Sequence, residues 1–178
     1  SSVDNSGSIT AVVQGDVARA TGVINAASYT RDAITTNSGD INAIAQGGVA
    51  PYGVYEAQAV GIYNLAVLYD SAVGNSGTVS ATALAMDEPV DLFSFFTAKA
   101  IGIQSVNVYG LGEASIDNTG AIYSTPATTQ GFASAWGALA QGLGVYGDAS
   151  ISNDGLISTY GYANIGTANS IAAYASAV

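Results

Sequence analysis

The densest group of ionisable side chains in this sequence is a short acidic cluster, Asp87, Glu88 and Asp91, around Pro89. Two facing carboxylates are the groups that hydrolyse a glycosidic bond, and carboxylate oxygens are preferred ligands of Ca²⁺. The chain contains no histidine and no cysteine. A Ser-His-Asp triad, a Cys-His pair and a His-ligated zinc site are therefore excluded.

The acidic cluster has a simple structural interpretation, which we favour. Its spacing is not that of an EF-hand loop, and the only nearby base, Lys99, already fits a repeat position described below. We therefore predict a solvated loop, no enzymatic activity and no cofactor. The alternatives are a calcium ion held by Asp87, Glu88 and Asp91, or a polysaccharide-degrading enzyme that uses the same carboxylates.

Aromatic residues form the second group with binding chemistry. Three of the 4 phenylalanines lie within four residues of one another, and the chain has 11 tyrosines. Exposed rings stack on sugars or pack against a second protein. We predict partner contacts at Phe93, Phe95, Phe96, Tyr52 and Tyr55, with core filling as the alternative. Alternation along a strand places Phe95 and Phe96 on opposite sides.

The charge balance excludes several classes of partner. Among 178 residues there are 3 basic side chains and 13 acids, for a net charge of -10. Binding to nucleic acid or to an anionic membrane surface requires many more Lys and Arg residues. No uninterrupted apolar run is long enough to predict a membrane-spanning helix. The absence of cysteine is compatible with an extracellular protein that has no disulfides.

The motif Asn-x-Gly occurs five times, and an aliphatic residue follows it shortly each time. Its asparagines are Asn5, Asn37, Asn75, Asn118 and Asn153, at intervals of 32, 38, 43 and 35 residues. Alternating residues follow each copy, and a period of two predicts a strand. Asn and Gly tolerate positive φ, so we expect each motif to form a sharp corner before its strand. Recurrence at this spacing indicates a repeat architecture.

A second element, Ala-x-Ala-x-Gly, recurs in each repeat. It begins at Ala18, Ala57, Ala98 and Ala138, with a weaker copy at Ala173. Alternation predicts that the residues between its alanines, Arg19, Gln58 and Lys99, point outward, and that Ile41 and Ile122 point inward. We predict an all-β parallel β-solenoid, a single domain over residues 1–178. With two elements in each of five degenerate repeats, we expect about nine rungs.

These motifs resemble the passenger repeats of bacterial autotransporters and related surface adhesins. In those proteins Asn-Ser/Thr-Gly-x-Ile-x-Ala units alternate with Ala-x-Ala-x-Gly-Ile units along a right-handed β-helix. The resemblance covers nearly the whole chain and includes no catalytic signature. It implies an extracellular or cell-surface location and a structural or adhesive role.

The two ends of the sequence both fall inside a repeat. Ser1–Asn5 matches the closing part of an internal repeat, residues 114–118, and the last residues lie inside the second element. An uncapped solenoid exposes unpaired backbone groups and an open core. We therefore expect head-to-tail self-association into a fibre or adhesive layer, through Val3, Asn5, Tyr174 and Val178. The alternative is a fragment of an adhesin that binds carbohydrate or a host surface protein through exposed Tyr and Phe.

Overall fold

The computed structural model describes residues 1–29, 31–48, 54–86, 95–109, 111–143 and 147–177. Every regular element within these ranges is a β-strand, and all strand pairs are parallel. The described residues contain no helix of the length and apolarity that a bilayer crossing requires. The predicted all-β solenoid is confirmed.

The described chain forms 14 strands, most of them short and four of them longer than a dozen residues. They are β1 (Ser2–Asn5), β2 (Ser8–Gly15), β3 (Val17–Ala27), β4 (Ala33–Asn37), β5 (Asp40–Gly47), β6 (Val54–Ala66), β7 (Ser71–Asn75), β8 (Thr78–Ala85), β9 (Phe95–Asn107), β10 (Glu113–Asn118), β11 (Ala121–Gly142), β12 (Asp148–Asn153), β13 (Leu156–Thr159) and β14 (Tyr162–Ala177).

The strands stack into three walls. The first wall has the order β1-β4-β7-β10-β12. The second contains β2, β5, β8, the start of β11 and β13, and the third contains β3, β6, β9, the rest of β11 and β14. One strand from each wall makes one level of the solenoid, and equivalent residues of successive repeats lie directly above one another.

The expectation of about nine rungs is wrong. Asn5 pairs with Asn37, Asn37 with Asn75, Asn75 with Asn118, and Asn118 with Asn153, so one whole repeat makes one level. The two sequence elements lie on different walls of the same level. The described residues therefore form five levels, separated by four steps of about 4.8 Å each.

The walls enclose two core compartments of different composition. The aliphatic compartment, bounded by all three walls, is filled mainly by Val23, Ile41, Ile62, Val73, Val79, Ile103, Ile116 and Ile122. The alanine compartment lies between the second wall and the first half of the third. It holds Ala18, Ala20, Ala43, Ala45, Ala57, Ala59, Ala81, Ala83, Ala85, Ala98 and Ala100, together with two rings, Tyr55 and Phe96.

A column of glycines separates the two compartments. A Cβ at Gly22 would lie 2.5 Å from Cγ2 of Ile41, and one at Gly61 would overlap Cγ1 of Val79. Both distances are far inside van der Waals contact. The third wall therefore bends inward at these glycines until its backbone touches the side chains of the second wall.

The same bend creates an apolar cluster on the outside of the third wall. Val60, Ile101 and Leu139 are buried there, with Tyr63 and Trp136 packed against them. We call these five residues the outer cluster. The register continues it to Ile24 on β3 and Tyr174 on β14.

A buried polar network crosses the aliphatic compartment between the third and first walls. Asn25 Nδ2 donates to Thr35 Oγ1 at 3.1 Å, Thr35 Oγ1 donates to Asn64 Oδ1 at 2.8 Å, and Asn64 Nδ2 donates to Ser71 Oγ at 3.0 Å. Asn25 Oδ1 has no partner among the described residues. Val3 occupies on β1 the position that Thr35 occupies on β4, and its side chain carries no donor.

Candidate functional site

Several of the predicted site residues lie outside the described ranges. These are the calcium candidates Asp87, Glu88 and Asp91, the contact candidates Tyr52 and Phe93, and the assembly candidate Val178. Within the described ranges, no group of three or more His, Cys, Asp or Glu residues could hold a metal ion. Calcium at the acidic cluster stays a prediction.

The prediction that Tyr55 and Phe96 contact a partner is wrong, because both side chains are buried in the alanine compartment. The two rings stack with centroids 4.9 Å apart. Each ring lies two residues before an inward alanine, Ala57 or Ala98, and therefore points to the same side as that alanine. Extending the alternation of the second element backward would have found this.

Phe95 lies on the outside, as a contact residue must. Its side chain is 44% exposed, and its ring meets the edge of Phe132, itself 50% exposed, at a centroid distance of 5.3 Å. Sequence analysis missed Phe132 because it lies alone in the sequence, one repeat away from the other phenylalanines. The strand register pairs it with Thr97, two residues after Phe95 on the same strand, and the two rings meet there.

The five motif asparagines form a hydrogen-bonded ladder through the whole solenoid. Nδ2 of each of the first four donates to Oδ1 of the asparagine on the next level, at 2.7, 2.8, 2.7 and 2.7 Å. Each Nδ2 also donates to the carbonyl oxygen of the glycine two residues later. The ladder thus has a direction, with donors toward the C-terminal level and acceptors toward the N-terminal level.

We expected the Asn-x-Gly motif because Asn and Gly tolerate positive φ, and this explanation is wrong. Positive φ occurs, among the described residues, only at Gly48, Gly131 and Gly166. The motif glycines are required by close stacking instead. A Cβ at Gly39 would overlap the carbonyl oxygen of Gly7 on the level before it. A Cβ would likewise overlap the glycine carbonyl oxygen of the preceding level at Gly77, Gly120 and Gly155.

Gly7 is the exception among the motif glycines. No atom of the described chain lies within 4 Å of a Cβ built on it, and its φ is not in the left-handed region. Nothing within the described part of this chain therefore requires glycine at position 7. The requirement appears only if a further level is stacked on the N-terminal face of the solenoid.

The ends of the asparagine ladder are complementary to each other. On the last level, Asn153 Nδ2 donates to Gly155 O at 3.0 Å, and its second N–H has no partner in the described ranges. On the first level, Asn5 Oδ1 accepts the Gly7 N–H at 3.2 Å. At Asn37, Asn75 and Asn118 the turn glycine instead donates to the asparagine carbonyl of the preceding level. The ladder therefore ends in a donor on the last level and an acceptor on the first.

The apolar surface at the ends is complementary as well. Ile24 at the first level is 65% exposed and Tyr174 at the last level is 46% exposed, and both belong to the column that passes through the outer cluster. Val13 lies in the same inward column as Ala45 and Ala83. Those two alanines are fully buried, whereas Val13 is 37% exposed. Val3 is half-buried at the same end. No level among the described residues covers these side chains.

No family model matches this sequence, and neither the curated proteins nor the solved structures compared with it gave a match.

Proposed function

We propose that this chain is an extracellular or cell-surface structural protein whose copies stack end to end into a fibre or adhesive layer. Its role is structural and not catalytic. The observation that carries the proposal is Gly7, a glycine that meets no steric or conformational demand from the described residues of its own chain. The four equivalent glycines are each required by the level before them. A second copy would supply that level.

The stacking register follows from the four internal junctions. Asn153 of one copy would lie over Asn5 of the next, with its free N–H donating to Asn5 Oδ1, as in each internal step of the ladder. Gly155 would lie over Gly7. The exposed Tyr174 ring would cover Ile24, which extends the outer cluster across the junction.

The geometry of this contact favours a fibre over a closed oligomer. Its two surfaces are different, one donor-terminated and one acceptor-terminated, so the contact is head-to-tail. A head-to-tail contact that repeats along one axis does not close into a ring, and generates a filament. Open strand edges at both ends add backbone hydrogen bonds to the junction.

Replacement of Gly7 by alanine tests the proposal directly. The new methyl group enters open space in the single chain, so we expect unchanged thermal unfolding of the monomer. In the stacked junction the same methyl group overlaps the carbonyl oxygen of Gly155 from the neighbouring copy. Negative-stain micrographs and light scattering over a range of concentrations should therefore show fibres for the natural chain and monomers for Gly7→Ala.

The matched control is Gly74→Ala. Gly74 lies on the outer side of β7, with its nearest neighbour, Cγ2 of Thr36, 4.0 Å from an added Cβ. This variant should fold and assemble like the natural chain. A natural chain that stays monomeric at high concentration would overturn the proposed function. Fibres of Gly7→Ala with normal stability would overturn the register.

A further inference from the structure

The outer side of the third wall carries one lysine between aromatic rings. Alternation puts Phe132, Ser134 and Trp136 of β11 on the outside, since Ala133 and Ala135 between them are buried. Lys99 of β9 lies beside Ser134 in the register. We call Phe95, Lys99, Phe132, Ser134 and Trp136 the lysine–aromatic face.

The Lys99 ammonium group is not neutralised within the described chain. Arg19, in the same outward column two levels away, pairs with Glu56 through its Nη2 at 3.0 Å from Oε2. Lys99 has no ion pair with any described residue, although the chain carries 13 acids against 3 bases. Among the described residues, Lys99 therefore offers a positive group that an anionic ligand can pair with.

The aromatic rings on either side of Lys99 are held in place. Trp136 Nε1 donates to Ser134 Oγ at 2.8 Å. The indole packs on the buried residues of the outer cluster and makes an edge contact with Tyr174, at a centroid distance of 5.8 Å. Phe132 is held by its edge contact with Phe95. The two rings are four residues apart on one strand, about 13 Å. Rings fixed before binding lose little entropy when a ligand stacks on them.

We infer that the lysine–aromatic face binds an anionic polysaccharide. Sugar rings stack on Phe132 and Trp136, and a carboxylate or sulfate group pairs with Lys99. Hydroxyl groups of the sugar are met by Ser134 and by the neighbouring outward amides Gln58 and Asn169. The residues that would contact the ligand are not those of the end-to-end junction, so the inference does not depend on stacking.

The shape of this face selects a polymer over other anions. Small molecules bind in concave sites that enclose most of their surface, whereas this face is the middle of a sheet. An extended peptide would need an open strand edge for its backbone hydrogen bonds, and β9 and β11 are each paired on both sides. One unpaired cation is too few for nucleic acid.

Binding to immobilised dextran, dextran sulfate and polygalacturonate tests the inference. Dextran and dextran sulfate share a backbone and differ in charge, and polygalacturonate supplies carboxylates instead. We expect binding to at least one of the two anionic polymers and not to dextran. Whichever anionic polymer binds identifies the charged group. Equal binding to dextran, or no binding to any of the three, overturns the inference.

Each test substitution introduces the residue that a neighbouring level has at the equivalent position, so that the fold is preserved. Lys99→Gln copies Gln58, Phe132→Thr copies Thr97, and Trp136→Ile copies Ile101. We expect Lys99→Gln to weaken binding about two- to fivefold at low salt. Phe132→Thr and Trp136→Ile should each weaken it by about three- to tenfold. High salt should remove the effect of Lys99→Gln and preserve those of the ring variants.

The control removes an exposed ring from another wall. Tyr123→Ser copies Ser80 and Ser158 on the outside of the second wall, and should bind like the natural chain. Repeating the series in a Gly7→Ala background separates single-site affinity from the avidity of assembled copies. Equal loss in Tyr123→Ser, or normal binding in all three variants of the face with unchanged unfolding, overturns the inference.

Discussion

The alanine compartment and the aliphatic compartment both fill the space between facing walls, but they do so with side chains of different size. In the alanine compartment the second and third walls approach closely, and methyl groups from each side fill the space beside the two rings of Tyr55 and Phe96. In the aliphatic compartment the walls stand apart, and Ile and Val side chains fill the gap. The glycine column at the bend lets one wall change from the first spacing to the second. Wall separation, set by side-chain volume, therefore determines the cross-section of the solenoid.

The largest expected effect comes from a charge in the aliphatic compartment. Ile122→Asp, like Ile41→Asp, would bury an unpaired carboxylate among aliphatic side chains, which costs several kcal/mol. Native domains are stable by only about 5–15 kcal/mol, so circular dichroism in a denaturant series should show a largely unfolded chain. Tyr123→Asp, which alters the next, outward residue, should stay folded. Equal stability of these variants would mean that the inward face is assigned wrongly.

The glycine column should be the next most sensitive part of the core. A methyl group at Gly61 would overlap Val79 Cγ1 and lie 2.5 Å from the Gly102 carbonyl oxygen. We expect Gly61→Ala to lower the free energy of unfolding by about 3 kcal/mol, measured by chemical denaturation. Adding Val79→Ala should recover only part of the loss, because the carbonyl contact remains. Full recovery would show that the side chain alone sets the bend.

Overpacking distinguishes the two compartments most directly. Ala59→Leu adds three carbons where the walls are closest, and should cost about 2 kcal/mol. Val79→Ile adds one carbon in the aliphatic compartment, where Ile41 and Ile122 occupy the same column. That change should cost less than about 1 kcal/mol. If both compartments tolerate enlargement equally in the same denaturation assay, the contrast between them is wrong.

The smallest predicted effect is a gain in stability at the buried polar network between the third and first walls. Val3→Thr would place a hydroxyl on β1 where Thr35 stands on β4, and that hydroxyl could donate to the unpartnered Asn25 Oδ1. We expect a gain of about 0.5–1.5 kcal/mol. Val3→Ala, which removes apolar surface and adds no donor, should be less stable than the natural chain. The idea fails if Val3→Thr unfolds more easily than Val3→Ala.

Local alternation in the sequence determined the type of element and the direction of many side chains. It predicted that Ile41 and Ile122 face inward and that Arg19, Gln58 and Lys99 lie between buried alanines, and the structure confirms both. It also contained the positions of Tyr55 and Phe96, two residues before an inward alanine. This succeeds because side-chain direction in a strand follows from backbone geometry alone.

Only the tertiary structure decided how the repeats stack. Both sequence elements alternate with the same period, so alternation does not tell whether they lie on one level or on two. The asparagine ladder and the overlap of the motif glycines with the preceding level fix one repeat per level. These contacts join residues more than 30 positions apart. Gly39 shows the difference most clearly, because its motif is visible in the sequence but its reason, the carbonyl oxygen of Gly7 on the level before it, appears only in the stacked structure.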